Sequence, residues 1–390
     1  MKKYSLLIAL ALLSGGVSLL PLNVNAQDDK QGELEREWYD ACQTKKDDRC
    51  LPLSKELLEK YPTSQYAKFA KAKIQNDSVS KLSDKFQAAL KAYYAGPQDT
   101  PKLEALFSSG EEFLKAQPGQ QYVIGQMALA GANGAMGEFY KNLDKVKGYA
   151  ETALKAFDST TPPEGWKPDE WTPLRDLVLA QMNQYLGWQL IMPTKGDPNM
   201  ALDYLAKAIQ VRGKEGIGWK DPNNYFLRST LYSNQYTELR KPYDAMTDEV
   251  KLSDDGKEHR KKLNEFLDTK LIPEYARVLA AASRPETKAL ADAIRPNFDA
   301  YWDYRTGAKD KAADYIKNYA TDPTIGAVPI PAKAEDTSNL NAPSAPTTGP
   351  TNVKLSTGGA AAAGKGANSN GGKAAPAKKG STRGRKRGRG

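Results

Sequence analysis

The sequence has very few of the side chains that carry most metal and acid–base chemistry. It contains one histidine, His259, and two cysteines, Cys42 and Cys50. The histidine lies in the strongly polar run DDGKEHRKK at 254–262, which predicts a solvated side chain rather than a catalytic base. It is also far in sequence from both cysteines, so the chain has no set of ligands spaced for a metal ion. We therefore expect neither a metal nor a cofactor.

Other kinds of catalytic site are also missing. The glycine clusters at 131–137 and 213–218 follow predicted helices rather than strands, which excludes the turn that cradles a dinucleotide phosphate. Paired carboxylates such as Glu111-Glu112 stand beside lysines on helix faces that should be exposed, unlike the two carboxyl groups of a glycosidase. The sequence therefore predicts a protein that is not an enzyme.

The first 26 residues have the composition of a signal peptide. Lys2 and Lys3 precede the apolar run from Leu6 to Leu13, and the segment ends in the small residues Val24 and Ala26. Cleavage after residue 26 would send the chain to the periplasm or outside the cell. The alternative is an uncleaved membrane anchor, because apolar residues resume at 17–22. No second long apolar run follows, so we expect no transmembrane anchor after cleavage.

Export also bears on the two cysteines, which are eight positions apart. In an oxidising compartment this spacing favours a disulfide between Cys42 and Cys50, joining two helices of a hairpin near their turn. Closing so short a loop would stabilise the fold by about 2–3 kcal/mol. The alternative is two reduced, half-buried thiols.

The positive charge of the chain is confined to one end. Residues 337–390 hold ten lysines and arginines and no acid. Without those ten and the two lysines of the signal peptide, residues 27–336 carry 44 basic and 47 acidic side chains, a net charge of −3. The whole-chain charge of +9 therefore describes the tail and not the body. Residues 323–390 are rich in Pro, Ala, Gly, Ser, Thr and Asn, a composition that predicts disorder.

The basic tail is itself a candidate binding segment. Outside the cytoplasm it would bind anionic envelope polymers, acidic lipid headgroups or an acidic protein, weakly and with a strong dependence on salt. Nucleic acid is a less favoured partner, because no aromatic side chains are interleaved to stack on bases. A solubilising tail without a dedicated partner is the remaining alternative. The tail residues that would contact an anion are Lys378, Lys379, Arg383, Arg385, Lys386, Arg387 and Arg389.

From about residue 33 to residue 320 the pattern is that of an all-α protein. Apolar residues recur at helical spacing, and Pro or Gly interrupts them every 15 to 20 residues or so. Helices of this length pair into hairpins. The long helical stretch 65–95 is expected to break near Asn76, and Pro273 interrupts another at 263–282.

Two stretches carry the spacing of a known repeat. Leu186-Gly187 is followed by Ala201, Leu205 and Ala208, and the pattern of Val146, Ala150 and Ala153 is the same. These residues resemble the tetratricopeptide repeat, in which a small residue of the first helix lets the second approach closely. The resemblance covers about residues 33–240 and has no strict 34-residue period. It implies an α-solenoid of hairpins over 27–240, followed by a helical capping region over 241–322.

The resemblance also implies a function, since the first helices of such a stack line a concave groove that accepts a peptide. The chain would then be a non-catalytic interaction scaffold in the bacterial cell envelope with a protein or peptide partner. The alternative is a binder of anionic polymers through the tail. The alternative for the two aromatic residues, Trp188 and Tyr232, is that they simply pack between hairpins. In this chain the resemblance places the groove at Gln181, Gln184, Trp188, Arg228, Tyr232 and Gln235.

Overall fold

A computed structural model describes residues 29–43, 48–96, 98–191, 196–282 and 284–333. The predicted signal peptide at 1–26 and the basic residues at 378–389 lie outside these ranges. Every regular element in the described ranges is helical and none is a strand, which confirms the predicted all-α class. None of the helices described is both long enough and apolar enough to cross a bilayer.

The first two helices form a hairpin that is closed by a disulfide. Helix α1 spans Asp29–Gln43 and helix α2 spans Cys50–Lys60. Cys42 and Cys50 are bonded to each other, with their Cα atoms 4.8 Å apart. The hairpin has its own small apolar core, in which the buried Trp38 donates a hydrogen bond from Nε1 to Ser54 Oγ at 2.8 Å. This core is separate from the main core of the protein.

Helix α3, Ala67–Tyr94, joins this hairpin to the rest of the molecule. Its first turns pack against α2, and its last turns pack against α4, Thr100–Ala116. The predicted break near Asn76 is wrong, because the helix runs through that position without interruption. Neither Pro nor Gly occurs between 67 and 94, so no residue there opposes the helical path.

The next four helices pack as two consecutive pairs. Helix α5, Gln121–Met136, pairs with α6, Leu143–Ala156. Helix α7, Pro168–Ile191, pairs with α8, Pro198–Gln210, and also packs against both α5 and α6. Each pair therefore buries one face against the pair before it.

Glycine permits the close approach within these pairs. A Cβ atom at Gly187 of α7 would lie 2.8 Å from Leu205 Cγ of α8. A Cβ atom at Gly125 of α5 would lie 2.9 Å from the ring of Phe157. Both distances are shorter than non-bonded carbon atoms tolerate, so a larger residue would push the helices apart.

The last part of the chain packs around one long helix. Helix α9, Pro222–Asp244, contacts α7 and α8. The short helix α10, Asp248–Leu252, comes next, and α9 also contacts the helical run that follows it. That run is α11, Asp254–Phe266, a π turn at Leu267–Leu271, and α12, Ile272–Ala281. The α-helical ladder gives way to the π turn just before Pro273, and Pro273 itself lies in the first turn of α12, where a missing N–H is tolerated.

Two further helices and an extended segment complete the described chain. Helix α13 spans Lys288–Thr306 and helix α14 spans Ala312–Lys317. The C-terminal segment, residues 322–333, then runs back over the body. The prediction of disorder from residue 323 is wrong for this stretch, because its backbone is hydrogen-bonded to the body at several points. Residues 334–390, the rest of the predicted disordered tail, lie outside the described residues.

Side chains outside the C-terminal segment supply several of these hydrogen bonds, so the composition of the segment itself gives no sign of them. Tyr319 accepts from the Val328 N–H at 2.9 Å, and Tyr315 donates to the Val328 carbonyl at 3.0 Å. The Lys333 N–H donates to the Arg305 carbonyl at 2.9 Å. The segment is therefore fixed through its backbone, so its own small side chains say little about whether it is ordered.

Candidate ligand pocket

The six predicted groove residues fall into two groups. Gln181, Gln184 and Trp188 of α7 are buried, with at most 8% of each residue exposed. Arg228, Tyr232 and Gln235 of α9 are only half-buried. The structure therefore places the α7 set in the interior and the α9 set at the edge of the solvent. A role of any of them in binding a partner stays a prediction.

The buried amides of α7 have structural contacts. Gln184 Nε2 donates to Asp221 Oδ2 at 2.8 Å and to Asn224 Oδ1 at 2.9 Å, which ties α7 to the first turn of α9. The Gln181 Oε1 atom is buried without a hydrogen-bond partner among the described residues. The alternative of packing between hairpins, made for Trp188 and Tyr232, agrees with the burial of Trp188, whereas Tyr232 is only half-buried.

Arg228 and Tyr232, one turn apart on α9, face the π turn and α12 across a pocket of about 220 Å³. This volume is below the roughly 300–1,000 Å³ of sites for whole drug-sized ligands, so the pocket suits one polar group. The C-terminal segment reaches its rim. The pocket is lined by Arg228, Tyr232, Thr269, Lys270, Glu274, Arg277 and Ala327.

An ion-pair cluster of Arg228, Glu274 and Arg277 forms one wall. The guanidinium of Arg228 donates from Nε to Glu274 Oε1 at 2.9 Å and from Nη2 to Oε2 at 2.6 Å. Arg277 Nη1 donates to the same Oε2 at 2.9 Å. Glu274 is only 1% exposed, so its carboxylate is desolvated and held by two arginines. Arg277 also reaches the Ile325 carbonyl with Nη2 at 2.8 Å, which attaches the C-terminal segment.

The pocket has more donors than its single carboxylate can use. Among the described residues, no acceptor is placed against Arg228 Nη1, the Tyr232 hydroxyl or the Lys270 ammonium. Lys270 Nζ lies 5.9 Å from the centre of the Tyr232 ring, so the two groups share one side of the pocket. Arg277 Nε is buried and has no hydrogen-bond partner in the described chain. Three cations against one carboxylate give the pocket a net charge of +2.

Electrostatics keeps these groups in their donor forms. Burial raises the pKa of the Tyr232 hydroxyl above its ordinary value, although the nearby Arg228 opposes the shift. The hydroxyl is therefore protonated at neutral pH and can donate. For Arg228, burial works against the charge, but attraction and hydrogen bonds from Glu274 outweigh it and raise the pKa of the guanidinium. The arginine is charged throughout the physiological range.

The chain matches no protein-family model, no curated protein and no solved structure. In the described ranges, no group of three or more His, Cys, Asp or Glu side chains is arranged to hold a metal ion. The pocket instead has a net positive charge and several donors without an acceptor among the described residues.

Sequence reasoning missed Lys270, Glu274 and Arg277. The ion pair joins Arg228 to a residue 46 positions away, and no local pattern reports such a contact. A signal was nevertheless present. Helix α12 reads IPEYARVLAA, and two charged residues within so apolar a helix indicate a buried ion pair or a site.

Proposed function

We propose that the chain is a non-catalytic interaction scaffold of the bacterial cell envelope, built as a tetratricopeptide-like α-solenoid and binding a protein or peptide. The packing of the helices supports the solenoid, since α7 contacts both members of the preceding pair and α9 contacts α7 and α8. Such neighbour-to-neighbour packing is the basis of repeat folds. The signal-peptide pattern and the disulfide support an envelope location.

One observation carries the choice of binding face. Of the predicted groove residues, those on α7 are buried, whereas Arg228 and Tyr232 on α9 line an open pocket. We therefore place the partner surface at α9 and α12. An arginine and a tyrosine at the rim of a recess are residue types enriched where proteins bind each other.

Site-specific photocrosslinking tests this assignment. Tyr232 is replaced by a photoreactive phenylalanine analogue in the full chain, and the protein is illuminated in the envelope of its source bacterium. Tyr204, a half-buried tyrosine on the second-helix α8, gives the matched control position. A discrete adduct from position 232 that is absent from position 204 supports the proposal. Equal adduct patterns, or none at 232, contradict it.

The alternative is that the basic tail does the binding. Its support is the charge distribution, with ten basic residues and no acid in 337–390. Removing 337–390 leaves every described residue in place. If the truncated chain loses its partners at every salt concentration, the tail is the binding element. If it retains them in high salt, the body is the binding element, because exposed charges are screened under those conditions.

A further inference from the structure

The pocket between α9 and α12 has properties that partner binding through a protein surface does not explain. Its cations are not all neutralised, and its volume of about 220 Å³ fits a single group rather than a peptide. The excess positive charge and the small volume both favour a small anion as the ligand. The choice among small anions depends on the charge and on the directions of the free donors.

Glu274 already occupies the part of the site that suits a carboxylate. The Nε and Nη2 fork of Arg228 holds both oxygens of Glu274, which is the two-bond geometry by which arginine binds planar carboxylates. The groups left over are single donors on separate side chains: Arg228 Nη1, the Tyr232 hydroxyl and Lys270 Nζ. Two of these donors lie one turn apart on α9 and the third lies on the π turn, and donors on separate side chains suit an anion with several oxygens.

The net charge of the lining side chains leads to the same choice. One carboxylate among three cations leaves +2. A phosphate or phosphate monoester carries about −1.5 to −2 at neutral pH and would neutralise this charge, whereas a second carboxylate would leave half of it. Arg277, one of these three cations, is itself buried, and its Nε has no hydrogen-bond partner among the described residues.

We infer that this pocket is a phosphate-binding site, with Arg228, Tyr232 and Lys270 as the residues that contact the phosphate group. Glu274 and Arg277 position the guanidinium of Arg228 and do not contact the ligand. The phosphate is either free inorganic phosphate or the end group of a phosphate monoester. The inference goes beyond the proposed scaffold function, and either one can fail without the other.

Isothermal titration calorimetry on the full chain tests the site, with inorganic phosphate, glycerol 3-phosphate and acetate as probes at physiological salt. Lys270→Met removes an exposed ammonium that lines the pocket, and Tyr232→Phe removes one hydroxyl. Lys261→Met is the matched control, because Lys261 is an exposed lysine of α11 that does not line the pocket. The basic tail is present in every variant, so its own attraction for phosphate cancels in the comparison.

We expect phosphate or glycerol 3-phosphate to bind and acetate to bind at least about tenfold more weakly. Loss of a charged hydrogen bond in Lys270→Met should weaken phosphate binding about five- to tenfold, with a smaller loss in Tyr232→Phe. Tighter binding of glycerol 3-phosphate identifies a monoester, and tighter binding of the inorganic ion identifies free phosphate. Equal weakening in Lys261→Met and Lys270→Met overturns the inference. So does acetate binding as tight as phosphate, or no binding of either phosphate at tens of millimolar.

Discussion

The exchange of Glu274 for glutamine isolates the contribution of one buried carboxylate at the junction of α9 and α12. The carboxylate receives three hydrogen bonds of 2.6 to 2.9 Å from Arg228 and Arg277 and is 1% exposed. Glutamine keeps the size of the side chain but removes the charge, and its amide nitrogen would face a guanidinium. Two largely buried cations would then lose their counter-charge.

The expected cost follows from the burial of the three groups. Removing one partner of a buried ion pair costs about 3–5 kcal/mol, because the remaining charge stays desolvated. The Arg228 side chain is 18% exposed and can regain some water, and glutamine still offers one oxygen as an acceptor. We therefore expect Glu274→Gln to lower the free energy of unfolding by about 3 kcal/mol, the lower end of that range.

Urea unfolding followed by circular dichroism measures this loss. The control is Glu265→Gln on the same helical run, where the side chain is exposed and a change within about 0.5 kcal/mol is expected. Stacked helices can unfold in stages, so hydrogen exchange of the α9 and α12 amides supplies a local measurement. A loss below about 1 kcal/mol, or protection of α12 that equals the wild-type value, would refute the reasoning.

Four further predictions concern the rest of the fold. Replacing Cys42 and Cys50 by serine should cost about 2–3 kcal/mol and make α1 the first site of proteolysis, while exchange in α7 stays unchanged. Gly187→Ala should lose about 1–3 kcal/mol in urea unfolding, because its methyl group would overlap α8. Gly148→Ala, in open space on α6, should instead gain about 0.5–1 kcal/mol, and a loss there would contradict the helix-propensity argument. Ending the chain at 321 should lower the melting temperature, since Arg277 loses its carbonyl partner; an unchanged temperature would mean that the C-terminal segment adds no stability.

The helices were the most predictable part of the molecule. Helix α2 ends at Lys60, just before Tyr61-Pro62, because the residue before a proline disfavours the helical conformation. Local propensity determines such an end, and it can be deduced from neighbouring residues. The close approach of Gly187 to Leu205 is instead what the resemblance to the tetratricopeptide repeat implied.

The two errors have different physical causes, the first local and the second in contacts between distant parts of the chain. The polar stretch around Asn76 was expected to break α3, but helix propensity without any Pro or Gly kept it continuous. The start of the tail was expected to be disordered on composition, yet Tyr315, Tyr319 and Arg277 bind its backbone. Composition measures the apolar surface that a segment can bury, and it does not register hydrogen bonds that other helices supply.

The candidate site shows the same limit more sharply. Helical spacing on α9 singled out Arg228 and Tyr232 as residues of one face, and both line the pocket. Nothing near them in sequence indicated Glu274, which decides how the arginine is oriented. The spacing within one helix shows which of its residues share a face. Which residues of a second helix lie opposite that face depends on how the two helices pack.

The C-terminal segment links the two positively charged regions of the protein. Ala327 lines the pocket and the Lys333 N–H is hydrogen-bonded to the Arg305 carbonyl, so the described chain ends within about 20 Å of the pocket at extended spacing. The ten basic residues of the tail follow further along the chain, from Lys354 onward. The pocket and the tail differ in their response to salt, because exposed charges are screened over about 8 Å at physiological ionic strength and partly buried ones are screened much less. Binding that persists as salt is raised thus belongs to Arg228 and its neighbours, and binding that disappears belongs to the tail.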